Sequence, residues 1–477
     1  MDIPAASGAQ VDTRGSAYRV IMRLATPTMI AMLSQSIVNE IDIVFFANLP
    51  CPESSNGQAA LAPSLITLWA FGGSLSAISV GTQALTARRV AEGKREDAGA
   101  VLTNASTFAL LAGIVFSLLG YLLIGPMMHA MVKNPDAAGY AISYTHYRFL
   151  GISSMAMTFA FKAFFDGLGK TRIHMVSAIV MNLVNVLLCW VFIFGHLGSA
   201  RMGPPGAGLA ALISTWVGLG IMILFGLQRE HRVGFQWLDR AKLSWGLTWQ
   251  ILRLAIPGGI ATMAVMAGFA FFLYVVGKLD AMSGGAMTVA GACGASEAVN
   301  GAATTTIMGV LKLTFTACLA FGTATATLVS QSLGEKNGAK AAMFGWASVR
   351  LGLVLFGVLG LCEGVFFTPQ ILRFVSHSEA VQEAALVPMR LMGMCTPVIA
   401  VGMILTQALF GAGNNRYVMV VELILHFTCL MPLAWLFGIT FHGGLPGIWA
   451  SAFVYAVGLA AAMIWKFRSG SWKKIQI

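Results

Sequence analysis

Long apolar segments separated by short polar breaks recur along the whole chain. Residues 176–195, VSAIVMNLVNVLLCWVFIFG, are nearly continuously apolar over about 20 residues, the length of a helix that crosses a bilayer. A membrane β-barrel would instead alternate apolar and polar positions in segments of about ten residues. The pattern predicts an all-α polytopic membrane protein with twelve transmembrane helices, at 17–47, 59–90, 98–128, 137–165, 171–195, 205–228, 249–278, 300–332, 340–367, 380–410, 416–440 and 445–467.

Composition and charge agree with a membrane location. The chain is 57% hydrophobic and only 10% charged, and residues 1–18 contain no apolar signal-peptide core. Most of the 30 Lys and Arg residues fall on the side of the amino terminus, which predicts a multi-pass protein of the cell inner (plasma) membrane with both termini cytoplasmic. Anionic lipid headgroups explain the net charge of +11, so no nucleic-acid partner is expected.

The seven cysteines contain no CxxC pair, so no metal site is expected. Cys51 and Cys293 both fall in predicted external loops. Two alternatives are open, a disulfide between these cysteines or two free thiols. Two free thiols are favoured, because the sequence does not give the distance between the two residues.

Three segments of the first half return in order in the second half. RLATPTMIA at 23–31 matches RLAIPGGIA at 253–261, and GTQALTARRVAEGKREDA at 81–98 matches GTATATLVSQSLGEKNGA at 322–339. GLGKTR at 167–172 matches GAGNNR at 411–416. The offset grows slowly from 230 to 241 and then 244 residues, as expected for two copies of one unit with small loop insertions.

Each copy holds six predicted spans, an even number, so both copies have the same orientation. This predicts a parallel repeat of two pseudo-symmetric six-helix lobes, an architecture of secondary transporters. The amino-terminal lobe is 1–228 and the carboxyl-terminal lobe is 249–477. The linker 229–248 is basic and rich in tryptophan, which predicts a cytoplasmic segment at the lipid interface.

The ordered set of motifs resembles the multidrug and toxic compound extrusion (MATE) family. It comprises the first span with IDIVFFANL at 41–49, the segment 167–195 that begins with GLGKTR, and the last span with its basic tail at 443–474. The resemblance implies a V-shaped pair of lobes around a central cleft. It also implies a secondary active multidrug efflux transporter, not an enzyme, that exports amphipathic, often cationic small molecules by cation antiport. A monomer in the lipid bilayer is expected.

The first span carries a polar stripe. At about 100° per residue, Gln35, Asn39 and Asp42 lie on one face of a helix. By resemblance these residues bind substrate, and Asp42 is the protonatable aspartate of the amino-terminal lobe. Burial disfavours the ionised form of a carboxyl group and a cationic cargo favours it, so proton and cargo would compete for Asp42.

Two asparagines of the fifth span, Asn182 and Asn185, are candidate proton-coupling partners of Asp42. They could hydrogen-bond its carboxyl group, or they could simply join helices. The resemblance places Asn185 among the partners of the aspartate. Some DinF-like members carry a second aspartate four residues later, where this chain has Cys189. Pro27 removes a helical hydrogen bond in the first span and is a candidate hinge.

Other ionisable residues lie within predicted spans. Glu40 is two residues from Asp42, about 200° around the helix, so the two carboxyl groups cannot share a proton directly. Glu40 could meet a neighbouring helix, stay protonated or act on Asp42 through space. Lys312 and Glu422 could pair with each other or separately reach an interface, and for Glu422 the interface is favoured.

No cofactor is expected, and the coupling ion remains open. NorM-like members carry acids in the seventh and tenth spans, but residues 256–278 and 388–411 contain none. This favours protons over sodium ions and a DinF-like over a NorM-like member.

The alternatives to a proton-coupled exporter are a sodium-coupled drug exporter and a flippase of a lipid-linked or other amphiphilic substrate. A channel is a further alternative, whereas a membrane-embedded transferase would need paired aspartates that the chain lacks.

Overall fold

The computed structural model describes residues 13–132, 134–237, 239–282, 299–376 and 378–477. Within these ranges the regular secondary structure is helical, and no strand occurs. Cys293 lies outside the described residues, so the choice between a Cys51–Cys293 disulfide and two free thiols stays open.

Seventeen α-helices follow one another within the described ranges. They are α1 Thr13–Ala47, α2 Glu53–Phe71, α3 Ile78–Ala91, α4 Arg95–Met131, α5 Pro135–Leu150, α6 Ile152–Gly167, α7 Thr171–Phe194, α8 Pro204–Leu227, α9 Arg229–Phe235, α10 Trp245–Met282, α11 Val299–Gly334, α12 Gly338–Leu361, α13 Thr368–Val375, α14 Glu379–Gly411, α15 Asn415–Ile424, α16 Met431–Trp435 and α17 Gly444–Ser469. The 3₁₀ segments are Gly73–Ala77, Arg240–Lys242 and Ser471–Lys474, and the π-helical segments are Cys362–Phe366, Leu425–Leu430 and Leu436–Thr440.

Ten helical segments of the described chain are long and apolar enough to cross a membrane, and an eleventh is formed if α2 and α3 count as one broken span. These two helices meet at a bend of 45°, where the sequence reads Gly72–Gly73. The predicted span 137–165 corresponds to α5 and α6, two helices of 16 residues each that meet at Gly151. The count of twelve spans therefore stays a prediction.

The repeated GLGKTR and GAGNNR segments form the same turn. Gly169 and Gly413 both adopt left-handed backbone conformations, with φ of 75° and 84°, which glycine accepts without steric cost. Each turn is preceded by a glycine at a close helix contact: a Cβ on Gly167 would lie 3.0 Å from the Gln83 carbonyl oxygen, and one on Gly411 would collide with the backbone of Ala326. Equivalent positions of the two copies therefore pack alike.

The two copies of the second repeated motif contact each other directly. Gln83 of α3 donates from Nε2 to the Thr323 carbonyl oxygen at 2.9 Å and to Thr327 Oγ1 at 2.8 Å. Ser330 of α11 donates to the Ala84 carbonyl oxygen at 2.7 Å. We call this contact between α3 and α11 the repeat seam, and it joins the two halves at the end of the bundle that carries the α6–α7 and α14–α15 turns.

The carboxyl-terminal residues lie against the same end. Arg88 of α3 donates from Nη1 to the Ile475 carbonyl oxygen at 2.8 Å. Trp472 is fully buried and donates from its indole nitrogen to the Phe467 carbonyl oxygen at 2.8 Å. The largest buried apolar cluster also crosses between the halves, because Ile21 and other residues of α1 pack in it with residues of α11 and α14.

The segment between the halves is partly folded into the bundle. Phe235 and Trp237 pack with Phe161 of α6, and the Trp237 indole donates to the Gly226 carbonyl oxygen at 2.9 Å. Trp245, at the start of α10, is exposed. The described linker therefore has one anchored part and one exposed part, whereas the sequence predicted an interfacial segment throughout.

Candidate functional site

Asp42 is buried in the contact between α1 and α7, with 8% of the residue exposed. Helix α1 is continuous from Thr13 to Ala47, so helical periodicity sets the direction of its side chains. Among the described residues Asp42 takes part in no ion pair. Its close polar neighbour is Cys189 of α7, whose Sγ donates to Asp42 Oδ1 at 3.6 Å.

Cys189 connects Asp42 to one of the predicted asparagines. Its Sγ also lies 3.8 Å from Asn185 Oδ1, one helical turn away on α7. Asn185 Nδ2 in turn donates to Ser214 Oγ of α8 at 3.2 Å. Asn185 therefore reaches Asp42 through the thiol, and its amide nitrogen donates to α8 instead of to the carboxyl group.

The second asparagine binds α1 about two helical turns before Asp42. Asn182 Nδ2 donates to Ser34 Oγ at 2.8 Å. Gln35 is half-buried on the same helix, and the Asn39 side chain is not among those that the structure describes. The structure thus brings Asp42, Asn185 and Cys189 together. Asn182 lies farther along the same α1–α7 contact, beside Ser34.

An aromatic ring and a cation of α5 complete the surroundings of Asp42. Tyr144 is buried, with its ring centroid 6.5 Å from that of Phe46. Arg148 lies over the Tyr144 ring at 5.9 Å and attracts the Asp42 carboxylate through space. Sequence reasoning missed both residues. The position of Cys189, four residues after Asn185 and so on the same helix face, was a usable signal for its contact with Asp42.

Glu40 points away from this site and forms an ion pair between the halves of the chain. Its Oε1 lies 2.7 Å from Lys312 Nζ of α11, and both side chains are about half exposed. One turn earlier, Ser36 Oγ lies 3.2 Å from Thr316 Oγ1 of α11. Of the alternatives for Glu40, contact with a neighbouring helix is confirmed.

Two of the predictions for Lys312 and Glu422 are wrong. The pair between them is wrong, because Lys312 binds Glu40. The interface position of Glu422 is also wrong, because this residue is only 7% exposed and accepts a hydrogen bond from Tyr455 at 2.7 Å. The sequence contains no signal for these partners, because helix packing decides which charged side chains on different helices meet.

Pro27 is buried inside α1, 15 residues before Asp42. Pro257 occupies the equivalent position inside α10. Both helices continue through their prolines. The hinge role of Pro27 therefore stays a prediction.

A buried carboxyl group that carries one weak S–H donor can hold or release a proton when the charge next to it changes. No cluster of metal-ligating side chains occurs in the part of the chain that the structure describes. Long apolar helices, a duplicated unit and a buried carboxyl group together define a polytopic membrane transporter.

The family follows from the sequence match. The model of the MatE family matches residues 27–191 and 257–436, which is well over half of the chain. The protein therefore belongs to the MatE family, and it is a membrane transporter, not an enzyme.

Full-length relatives carry the name NorM. The chain is 24% identical over 464 residues to the probable multidrug resistance protein NorM of Thermotoga maritima, covering 95% of this chain and 93% of the relative. It is 21% identical over 451 residues to the protein of the same name from Neisseria meningitidis serogroup B, covering 94% and 93%. These similarities do not separate the DinF-like from the NorM-like branch, so the DinF-like assignment stays a prediction.

Solved structures share the fold over nearly the whole chain. A transporter of the MOP superfamily from Pyrococcus furiosus, described as having a binding pocket of reversed polarity, superposes with a TM-score of 0.84 at 20% identity, covering 97% of this chain and 98% of that one. An outward-facing multidrug resistance MATE transporter superposes with a TM-score of 0.83 at 20% identity, covering 96% and 97%. The fold is that of a MATE transporter.

Proposed function

We propose that the protein exports amphipathic, often cationic compounds in exchange for protons, with Asp42 as the coupling carboxyl group. Family membership and the multidrug resistance names of the relatives support the export of many compounds. The burial of Asp42 beside Cys189, without an ion pair among the described residues, is the observation that carries the coupling.

In this proposal proton and cargo exclude each other at one site. A protonated Asp42 is neutral and is tolerated in an apolar surrounding, whereas the positive charge of a cargo favours the carboxylate. Arrival of the cargo would release the proton, and rebinding of a proton would release the cargo. Gln35 and Asn39 would contribute hydrogen bonds to the cargo, and Asn185 with Asn182 would hold α7 in place beside Asp42.

The predicted architecture would allow the site to open to each side of the membrane in turn. Twelve spans in two six-helix lobes, 1–228 and 249–477 with the linker 229–248 between them, would enclose a cleft that opens to alternate sides. Several basic residues lie at the end of the bundle that carries the repeat seam, among them Arg88, Lys170 and Lys336. This supports a cytoplasmic position for that end. Loading from the cytoplasm would then require the repeat seam to separate, with Pro27 as a candidate hinge. A monomer in the inner membrane, with both termini cytoplasmic, completes the proposal.

Gradient-driven transport in vesicles tests the coupling. Purified protein in proteoliposomes should move tetraphenylphosphonium when a pH gradient is imposed, and Asp42→Asn should abolish this movement. Asp136→Asn is the matched control, because it removes an exposed carboxylate at the start of α5. A sodium gradient should not replace the pH gradient. Undiminished pH-driven transport by Asp42→Asn would overturn the role of Asp42, and transport driven by sodium alone would overturn the proton.

A further inference from the structure

A second polar cluster is buried in the carboxyl-terminal half, far from Asp42 in sequence. Glu422 of α15 accepts a hydrogen bond at Oε2 from the Tyr455 hydroxyl of α17 at 2.7 Å. His426 lies one turn after Glu422, with its Nδ1 3.4 Å from the same carboxylate oxygen. Glu422 is 7% and His426 is 2% exposed. The role proposed for Asp42 uses none of these three side chains.

The backbone around the cluster is adapted to it. The π-helical segment Leu425–Leu430 begins directly after α15 and includes His426, and such segments are frequent at functional sites. His426 Nδ1 lies 2.8 Å from the Glu422 carbonyl oxygen. Helix α10 carries Gly268 opposite the imidazole, and a Cβ at this position would collide with His426 Cδ2. A glycine thus makes the room that the imidazole occupies.

The repeat relates this cluster to the surroundings of Asp42. At the 244-residue offset between GLGKTR and GAGNNR, His426 corresponds to Asn182 and Cys429 corresponds to Asn185. Just as α7 packs on α1, α15 packs on α10. At the 230-residue offset of the first repeated segment, the equivalent of Asp42 is Phe272, which carries no carboxyl group. The carboxylate of this half is on the partner helix instead.

The charged residues of the packed helices leave Glu422 without a cation partner. Within the described ranges no Lys or Arg forms an ion pair with Glu422, and Lys312 is held by Glu40. Lys466 of α17 lies over the Tyr417 ring at 4.9 Å. The other charged residues on α10, α14, α15 and α17 are Arg253, Lys278, Asp280, Glu379, Glu383, Arg390, Arg416 and Arg468. Among the described residues, Tyr455 also interacts with the carboxyl group, and Cys429 interacts with Tyr455.

We propose that Glu422, held by Tyr455 and His426, is a second proton-binding site of the transporter, in the carboxyl-terminal half. The donor set suits a proton, since hard cations such as sodium prefer oxygen ligands and one side of this carboxylate faces an imidazole. The site takes up a proton on one side of the membrane and releases it on the other, so that each cycle moves one proton more than Asp42 alone. The inference rests on the proposed proton exchange.

Infrared difference spectroscopy of the purified protein tests the site directly. Adding tetraphenylphosphonium at mildly acidic pH should remove two carbonyl-stretch bands of protonated carboxyl groups in the wild-type protein. Glu422→Gln should eliminate one band, and Asp42→Asn should eliminate the other. Tyr455→Phe should shift the frequency of the Glu422 band, because it removes the hydrogen bond and keeps the carboxyl group. Glu363→Gln is the matched control, since Glu363 is a buried carboxyl group that accepts a hydrogen bond from Thr314.

The two proposals fail in different ways in this experiment. If Glu422→Gln, eluting as a folded protein, keeps both bands, the second site is overturned. If Asp42→Asn keeps both bands, the role of Asp42 fails and that of Glu422 does not. In vesicles, Glu422→Gln should halve the number of protons exchanged for each tetraphenylphosphonium ion, and an unchanged ratio would also overturn the second site. If Tyr455→Phe leaves the Glu422 band unshifted, the assignment of that band to Glu422 is wrong.

Discussion

Lys312 of α11 holds Glu40 of α1 at 2.7 Å, so that one ion pair joins the two halves beside the helix turn that carries Asp42. Both side chains are about half exposed, and an ion pair that water reaches is worth less than about 1 kcal/mol. The pair fixes which face of α1 meets α11 more than it stabilises the fold.

A charge exchange tests this pair. Glu40→Lys and Lys312→Glu each place like charges together, and each should lower the free energy of unfolding in detergent by about 0.5–1 kcal/mol. The double variant restores opposite charges and should recover most of that loss. Losses that simply add in the double variant would show that the two residues do not interact.

Cys189 should matter as a donor and not as a reactive thiol. Cys189→Val removes the S–H group beside Asp42 at similar volume, and the loss of this weak hydrogen bond is worth about 1 kcal/mol. We expect roughly a fivefold lower rate of pH-driven tetraphenylphosphonium transport. Cys189→Ser keeps a donor and should retain most of the rate. Equal rates for the valine and serine variants would contradict the contact.

Gly411 should tolerate no side chain. A Cβ at this position meets the backbone of Ala326, which cannot move without shifting α11, so Gly411→Ala should destabilise the protein by about 1–3 kcal/mol. Gly357→Ala, in α12 of the same half, meets nothing within 4 Å and should be neutral or stabilising by about 0.5–1 kcal/mol. Thermal unfolding in detergent compares the two, and similar melting temperatures would argue against the close packing.

His231 gives the linker a pH dependence. Its Nε2 accepts a hydrogen bond from Lys170 Nζ at 2.8 Å and its Nδ1 donates to the Phe225 carbonyl oxygen at 3.0 Å, which requires the neutral ring. Burial, aided by the Lys170 charge, lowers the pKa of His231. Since the unfolded histidine then binds a proton more readily, the stabilisation is complete above about pH 6.5 and is lost as the pH falls through the folded value.

Hydrogen exchange of residues 229–235 measures this dependence. After correction for intrinsic rates, protection should fall between about pH 7 and pH 5, and His231→Gln should remove that fall. His129→Gln, which changes an exposed histidine at the end of α4, is the control and should behave as the wild-type protein. A wild-type profile without pH dependence would contradict the role of the neutral ring.

The repeat could be predicted from the sequence because it depends on the backbone conformation and close packing at single glycine positions. Gly169 and Gly413 occupy equivalent positions because both turns need a residue with a left-handed backbone conformation. Gly167 and Gly411 are also equivalent, because each lies at a helix contact that leaves no room for a Cβ. Spacing alone likewise predicted that Glu40 and Asp42 point in different directions. The break between α2 and α3 went unpredicted although Gly72 and Gly73 were a visible signal.

The partners of charged side chains were not accessible in this way. Periodicity assigns a residue to a face of its own helix, but the neighbour of that face depends on how helices pack across the whole bundle. The Lys312–Glu422 pair, one of two alternatives, was therefore wrong, and the contact of Tyr144 and Arg148 with the Asp42 site was missed. The burial of Glu422 beside Tyr455 has the same origin, because 33 residues separate them in the chain.

The repeat seam is held by side chains that donate to backbone carbonyl oxygens, as Gln83 does to Thr323 and Ser330 does to Ala84. If the seam separates as the proposed transport cycle requires, each of these groups needs a water molecule in place of its lost partner. The equilibrium between the closed and the opened seam would then depend on the activity of water. An osmolyte that is excluded from the opened seam should hold the two halves together at this end.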